Sequence, residues 1–281
     1  MRTQEKYTIA NKRKIYYEFI DRDKLSDKTP LIIFLHEGLG SIPQWKDFPD
    51  MLCAKLNLPG LLYDRYGYGK SEALHEPRKL DYFNIEAFES LPALLRNLNI
   101  KNKLILFGHS DGATIAILFA SKFQQRTVCI ISEAAHVIYE LVSVEGILET
   151  VKTFENGKLK ELLHKFHGDK TESMFYGWSD VLLSSDFRQW SIEQILQGIT
   201  VPVLVIQGGM DEYGSYEQVE SIMNNVKGFS EFLLIENCGH IPHLQAILAK
   251  DVAAAHEGDP ASKYYDEIIF SYPGLFAVTV Y

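Results

Sequence analysis

Residues 108–112 read Gly108-His109-Ser110-Asp111-Gly112, set between an apolar strand-like run, Leu104-Ile105-Leu106-Phe107, and an apolar helix-like run from Ala113 to Ala120. A serine hydroxyl is a weak nucleophile at neutral pH. It needs a sharp strand-to-helix turn that exposes Oγ beside a base and leaves backbone N–H groups free nearby. Small residues at 108, 112 and 113 permit such a turn, and the flanking strand and helix make Ser110 a nucleophile candidate.

This arrangement requires an acid and then a histidine later in the chain, each just beyond a strand of the same sheet. The run Pro202 to Gln207 leads into Gly208-Gly209-Met210-Asp211, and Phe232-Leu233-Leu234-Ile235 leads into Asn237-Cys238-Gly239-His240. From residue 31 onward, apolar strands alternate with helical stretches at 44–56, 81–98 and 111–123, the pattern of a parallel sheet with crossover helices. Residues 6–10 and 14–20 read as an opening hairpin. His36, Ser110, Asp211 and His240 all fall at the carboxyl ends of strands, where ligands bind in such sheets.

Two further motifs carry a family resemblance. His36-Glu37-Gly38-Leu39-Gly40-Ser41 follows the strand Leu31 to Leu35, and Asp64-Arg65-Tyr66-Gly67-Tyr68-Gly69-Lys70-Ser71 follows the next strand. With the Ser110 pentapeptide and the later Asp and His, the chain resembles the α/β-hydrolases from about residue 5 to about residue 250. The resemblance implies an α/β-hydrolase fold: a mostly parallel central sheet flanked by helices, with a helical cap inserted between strands 6 and 7. It also implies a Ser110–His240–Asp211 triad and an oxyanion hole formed by the backbone N–H groups of Asp111 and Gly38. Many relatives have His-Gly where this chain has His36-Glu37.

Glu133, after the strand that precedes the cap, competes with Asp211 for the acid's role; Asp211 ends the strand that the family uses most often. His243 is expected to be a pocket or helix residue, Glu212 to point elsewhere, His36 to hydrogen-bond within its own loop, and the Asp111 side chain to cap the following helix. His164 and His167 read as a solvated helix face rather than a metal pair.

The stretch between the strands at 127–131 and 202 is too long for one crossover and reads as helices at 143–155, 158–166, 171–183 and 187–197. Its aromatic residues suggest an apolar pocket wall over Ser110, for which Phe175, Trp178 and Trp190 are candidates together with Trp45. The expected organisation is a core of residues 1–135 and 199–250, a cap of 136–198, and an appended tail of 251–281. The tail resembles the amino-terminal helical part of serine O-acetyltransferases through Asp259-Pro260-Ala261 and Ser271-Tyr272-Pro273-Gly274-Leu275. Its last eighteen residues hold six aromatics, which points to self-association.

With 281 residues, 46% of them hydrophobic, the chain can bury one large core. A formal net charge of -9 argues against nucleic acid as a partner and for a small-molecule acyl substrate. Cys53, Cys129 and Cys238 are too scattered for a disulfide framework or a zinc site. No run approaches a membrane span, and Met1 to Lys6 carry no apolar leader, so a cytoplasmic protein is expected. Neither metal nor organic cofactor is expected. Carboxylic ester hydrolysis is the expected reaction; lactone, thioester, iminopeptide and carbon–carbon hydrolysis use the same triad, and a slow-turnover ligand sensor is the non-enzymatic alternative.

Overall fold

The computed structural model describes Arg2 and residues 6–248; the tail of residues 251–281, with its acetyltransferase resemblance, lies outside them. Eight strands form one sheet: β1 (Lys6–Ala10), β2 (Arg13–Ile20), β3 (Leu31–Leu35), β4 (Gly60–Tyr63), β5 (Leu104–His109), β6 (Thr127–Glu133), β7 (Val203–Gly208) and β8 (Ser230–Ile235). Their order is β1-β2-β4-β3-β5-β6-β7-β8. β2 pairs antiparallel with both β1 and β4, and the remaining ladders, from β4 through β3 to β8, are parallel. The fold is that of an α/β-hydrolase.

The central strands are buried on both faces, which is why they read as unbroken apolar runs rather than alternating ones. Alternation survives in where the side chains go. Leu31, Ile33, Leu104 and Leu106 pack on one face against α2 (Tyr82–Ile85), α3 (Leu91–Asn97), α4 (Asp111–Lys122) and α9 (Tyr216–Asn225). Ile32, Phe34, Ile105 and Phe107 pack on the other against α1 (Phe48–Leu56), on the side where His243 of α10 (Pro242–Leu248) meets Phe48. The predicted helix at 81–98 is α2 and α3 joined through a π-helical turn, Glu86–Ser90. Pro92 supplies a reason: it has no N–H for the residue four back, so the ladder must shift locally.

Four helices lie between β6 and β7: α5 (Leu141–Glu155), α6 (Lys158–His167), α7 (Thr171–Leu182) and α8 (Glu193–Leu196). The first three match the expected spans closely. The predicted helix at 187–197 is instead a 3₁₀ turn, Ser185–Gln189, then the short α8, because Ser191 pairs with Ile138 in a β-bridge between them. Among the described residues no helix is long and apolar enough to cross a membrane.

The turn at Ser110 depends on close backbone approach. Ser110 has φ 52° and ψ -119°, a conformation strained for a residue with a side chain. A Cβ on Gly112 would stand 1.8 Å from the Leu35 carbonyl oxygen, so only glycine lets α4 start against the end of β3. Since the clash is with backbone, no rotamer relieves it. Gly112→Ala should therefore lower the stability by roughly 1–3 kcal/mol or more, read as a fall in the urea midpoint.

Candidate active site

Ser110, the N-cap of α4, opens onto a cavity of about 230 Å³ at the carboxyl edge of the sheet, and His240 lines the same cavity. His240 Nδ1 lies 2.9 Å from both carboxylate oxygens of Asp211. The loop after β7 holds that carboxylate through the backbone N–H groups of Tyr213 at 2.8 Å and Gly214 at 3.2 Å, and Gln207 donates to it at 2.6 Å. Burial pushes the Asp211 carboxyl up, but the His240 ring and the Tyr213 N–H outweigh it and keep it below the ordinary carboxylate range.

Glu133 has a different imidazole. It accepts from the His243 backbone N–H and pairs with His243 Nδ1, each at 2.7 Å, in full burial beneath the cavity. Burial raises the Glu133 carboxyl and His243 more than reverses the effect. His109, Glu133 and His243 bring three potential metal-ligand atoms together. Yet the 2.7 Å Glu133–His243 contact is a hydrogen bond, shorter than the spacing of about 3.3 Å between two ligands on one tetrahedral zinc. The donor set fits a proton, not a metal.

The two positions assigned to an oxyanion hole line the same cavity as Ser110. Asp111 is the first residue of α4, where a backbone N–H has no intrahelical acceptor. Gly38 lines the cavity and is covered by Trp178 of α7: a Cβ there would meet the indole Nε1 at 2.1 Å. The Asp111 side chain does not cap its helix. It accepts from the Tyr82 hydroxyl at 3.0 Å and faces the Arg65 guanidinium at 3.4 Å. Arg65 also donates to the Glu37 carbonyl at 2.7 Å and the His36 carbonyl at 3.2 Å, so one buried cation joins the loop after β3 to the start of α4. His36 meets its own loop only in part: its Nδ1 donates to the Glu37 carbonyl at 2.8 Å, while its Nε2 accepts from the Arg65 backbone N–H at 3.1 Å, in the loop after β4.

Of the aromatics singled out in the sequence, Trp178 lines the cavity. The other three lie elsewhere. Trp45 is buried beneath the sheet against Phe34, Phe48, Phe107 and His243, Phe175 stacks on Phe154 at 3.7 Å inside the cap, and Trp190 packs on Phe83 and Phe187. The cavity wall comes instead from Leu159, Leu162 and Leu163 of α6 with Ile147 and Leu182. The i, i+3, i+4 spacing of the three α6 leucines was the available signal. Glu212 does not point away: it lines the cavity and accepts from the His240 backbone N–H at 3.2 Å. His136 is a further cavity residue that the sequence did not suggest; burial and the neighbouring His240 push its ring down to about 4.

His167 is buried, not solvated. The Gly69 N–H donates to its Nδ1 at 2.9 Å, and its Nε2 donates to the Leu39 carbonyl at 3.0 Å, so it clips α6 onto two loops of the core.

The model of the alpha/beta hydrolase family matches residues 32–249, and the chain belongs to that family. It is 24% identical over 266 residues to a proline iminopeptidase of Saccharolobus solfataricus, covering 81% of this chain and 83% of that one. In structure it resembles an alpha/beta hydrolase enzyme from a Medee basin deep-sea metagenome library, with a TM-score of 0.68 at 19% identity over 90% of this chain and 99% of that one. It also resembles the enol-lactonase of Burkholderia xenovorans LB400, with a TM-score of 0.68 at 16% identity over 89% and 98% of the two chains.

The His167 clip has a defined pH dependence. Burial lowers its ring from 6.5 to about 4, and the proton it would then take up displaces the Gly69 N–H. A depressed histidine contributes stability above its unfolded value, lost as pH falls from 6.5 towards 4. His167→Phe should cost about 1–3 kcal/mol in urea unfolding at neutral pH, and the gap from wild type should narrow as pH falls through that window.

Proposed function

We propose that the chain is a serine hydrolase of small, uncharged carboxylic esters. Ser110 is the nucleophile, His240 the base and Asp211 its orienting acid. The reading rests on one observation: His240, held at 2.9 Å by both oxygens of Asp211, shares with Ser110 a cavity of about 230 Å³ walled by leucine and isoleucine. In this reading His240 Nε2 takes the hydroxyl proton as Ser110 Oγ attacks the ester carbonyl carbon. The backbone N–H groups of Asp111 and Gly38 receive the oxyanion. His240 then protonates the leaving alkoxide, and water activated by the same ring releases the acid. The cavity is smaller than the roughly 300–1,000 Å³ typical of ligand pockets, which favours a short acyl group. Residues 1–135 and 199–250 serve as the catalytic core and 136–198 as the cap. A cytoplasmic setting is in keeping with the buried thiols of Cys53 and Cys129.

A second reading, hydrolysis of an aminoacyl amide or ester, draws on the cavity's charge. Glu37 and Glu212 line it, and no lysine or arginine does so among the described residues. A carboxylate near the scissile bond suits a substrate ammonium, and the Saccharolobus relative is named a proline iminopeptidase. Side-by-side turnover of p-nitrophenyl butyrate and prolyl p-nitroanilide separates the two.

Ser110→Ala should abolish turnover by several orders of magnitude while leaving the circular dichroism spectrum intact; full activity in that variant would end the serine-hydrolase reading. Asp211→Asn should cost on the order of 10⁴-fold in kcat, the size of the effect in serine proteases, because the ring loses its tautomer and orientation. Glu133→Gln should act mainly on stability, by about 3 kcal/mol, since it breaks a buried pair away from the reacting atoms. Turnover and urea titration of both variants check this, and the opposite pattern would move the acid to Glu133.

A further inference from the structure

We infer that His109, the residue before the nucleophile, is a positioning residue that ties the oxyanion loop to the loop of the base, and that it does so as an imidazolium. The inference rests on the reading of Ser110, His240 and Asp211 as a hydrolytic centre.

The geometry carries the argument. The His109 ring ends β5 and is fully buried. Its Nε2 lies 2.8 Å from the backbone carbonyl oxygen of His240, a group that only accepts, so Nε2 carries a proton. Its Nδ1 faces the Glu37 carboxylate at 3.6 Å and has no hydrogen-bond partner among the described residues. A neutral ring with its proton on Nε2 would aim a lone pair at that carboxylate. Only a ring protonated on both nitrogens meets an acceptor at each end. Glu37 itself folds back over Gly40, where a Cβ would stand 2.3 Å from its Oε2, and it immediately precedes Gly38. One cation therefore holds the loop after β3 on one side and the His240 backbone on the other.

Four titratable groups surround the ring, with Trp45 packed against it as well. Glu37 comes from the loop after β3, Glu133 from the end of β6, His240 from its own loop at a ring separation of 5.1 Å, and His243 from α10 at 5.0 Å. Glu133 is also paired with His243, 2.7 Å from its Nδ1. Burial works against the charge on His109, but Glu37 and Glu133 outweigh it and hold the ring up at about 9; the Glu37 carboxyl, which burial alone would raise, is held at about 2. A raised histidine contributes stability below its unfolded value of 6.5, lost as pH rises through about 9.

Two measurements test the inference, and the first is independent of catalysis. Nitrogen-15 spectra of the histidines, with the His109 signals assigned by loss in His109→Gln, should show both ring nitrogens protonated at about pH 7.5 and a titration near 9 that moves down in Glu37→Gln. A neutral His109 at that pH would overturn the inference whatever the enzyme does. The second is the pH dependence of p-nitrophenyl butyrate hydrolysis. Wild type should lose kcat above about pH 9. His109→Gln keeps a donor for the His240 carbonyl without the charge. It should lose kcat on the order of 100-fold at neutral pH with KM little changed, and lack the alkaline fall. A His109→Gln enzyme with the wild-type profile and only a lower melting temperature would reduce His109 to a structural residue and overturn the proposal. An imidazolium at His109 in a protein that turns over neither p-nitrophenyl butyrate nor prolyl p-nitroanilide would leave the electrostatics standing and refute both the hydrolase reading and the positioning role.

Discussion

The contact between the first turn of α4 and the end of β3 sets the geometry of everything around it. Gly112 lets the helix start against the Leu35 carbonyl, and Ser110 holds its strained conformation at that start. Strain of this kind persists only where the surroundings over-determine it. Here they do: both strands flanking β5 run parallel to it, and α4 is buried almost throughout.

The floor of the cavity, where Glu37, His109 and Asp111 line it, is polar. Arg65 with Asp111, His109 with Glu37, and His243 with Glu133 lie side by side at the carboxyl ends of β3 to β6. Burying such polar and charged groups carries a desolvation cost, so they are poor devices for stability alone. They are good devices for position. Each joins segments distant in sequence, and each presents hydrogen-bonding geometry that a slipped loop could not satisfy. The roof is the opposite: α6 and α7 contribute leucines and Trp178, while His167 clips α6 to the core through two neutral hydrogen bonds. A polar floor that orients and an apolar roof that excludes water is an arrangement suited to chemistry on a small acyl group.

The legible part of this protein was the part written in consecutive residues. The Ser110 pentapeptide, the D-x-x-G-x-G-x-S turn from Asp64 to Ser71, the apolar strands and the helices α4 to α7 depend on neighbours within a turn or a strand, and periodicity and glycine placement report such neighbours directly. The placing of Asp211 and His240 beyond successive strands was legible for the same reason, because parallel strands put their carboxyl ends on one edge whatever their side chains do. What only the tertiary structure decided was partnership across the fold. Asp211 meets His240 while Glu133 meets His243, although the two histidines are three residues apart, because His240 lies in the loop before α10 and His243 in its first turn. Trp45 went under the sheet and the α6 leucines over the cavity. Both choices depend on which face of an element meets which neighbour, and pairing between residues far apart in the chain leaves no mark in local sequence pattern.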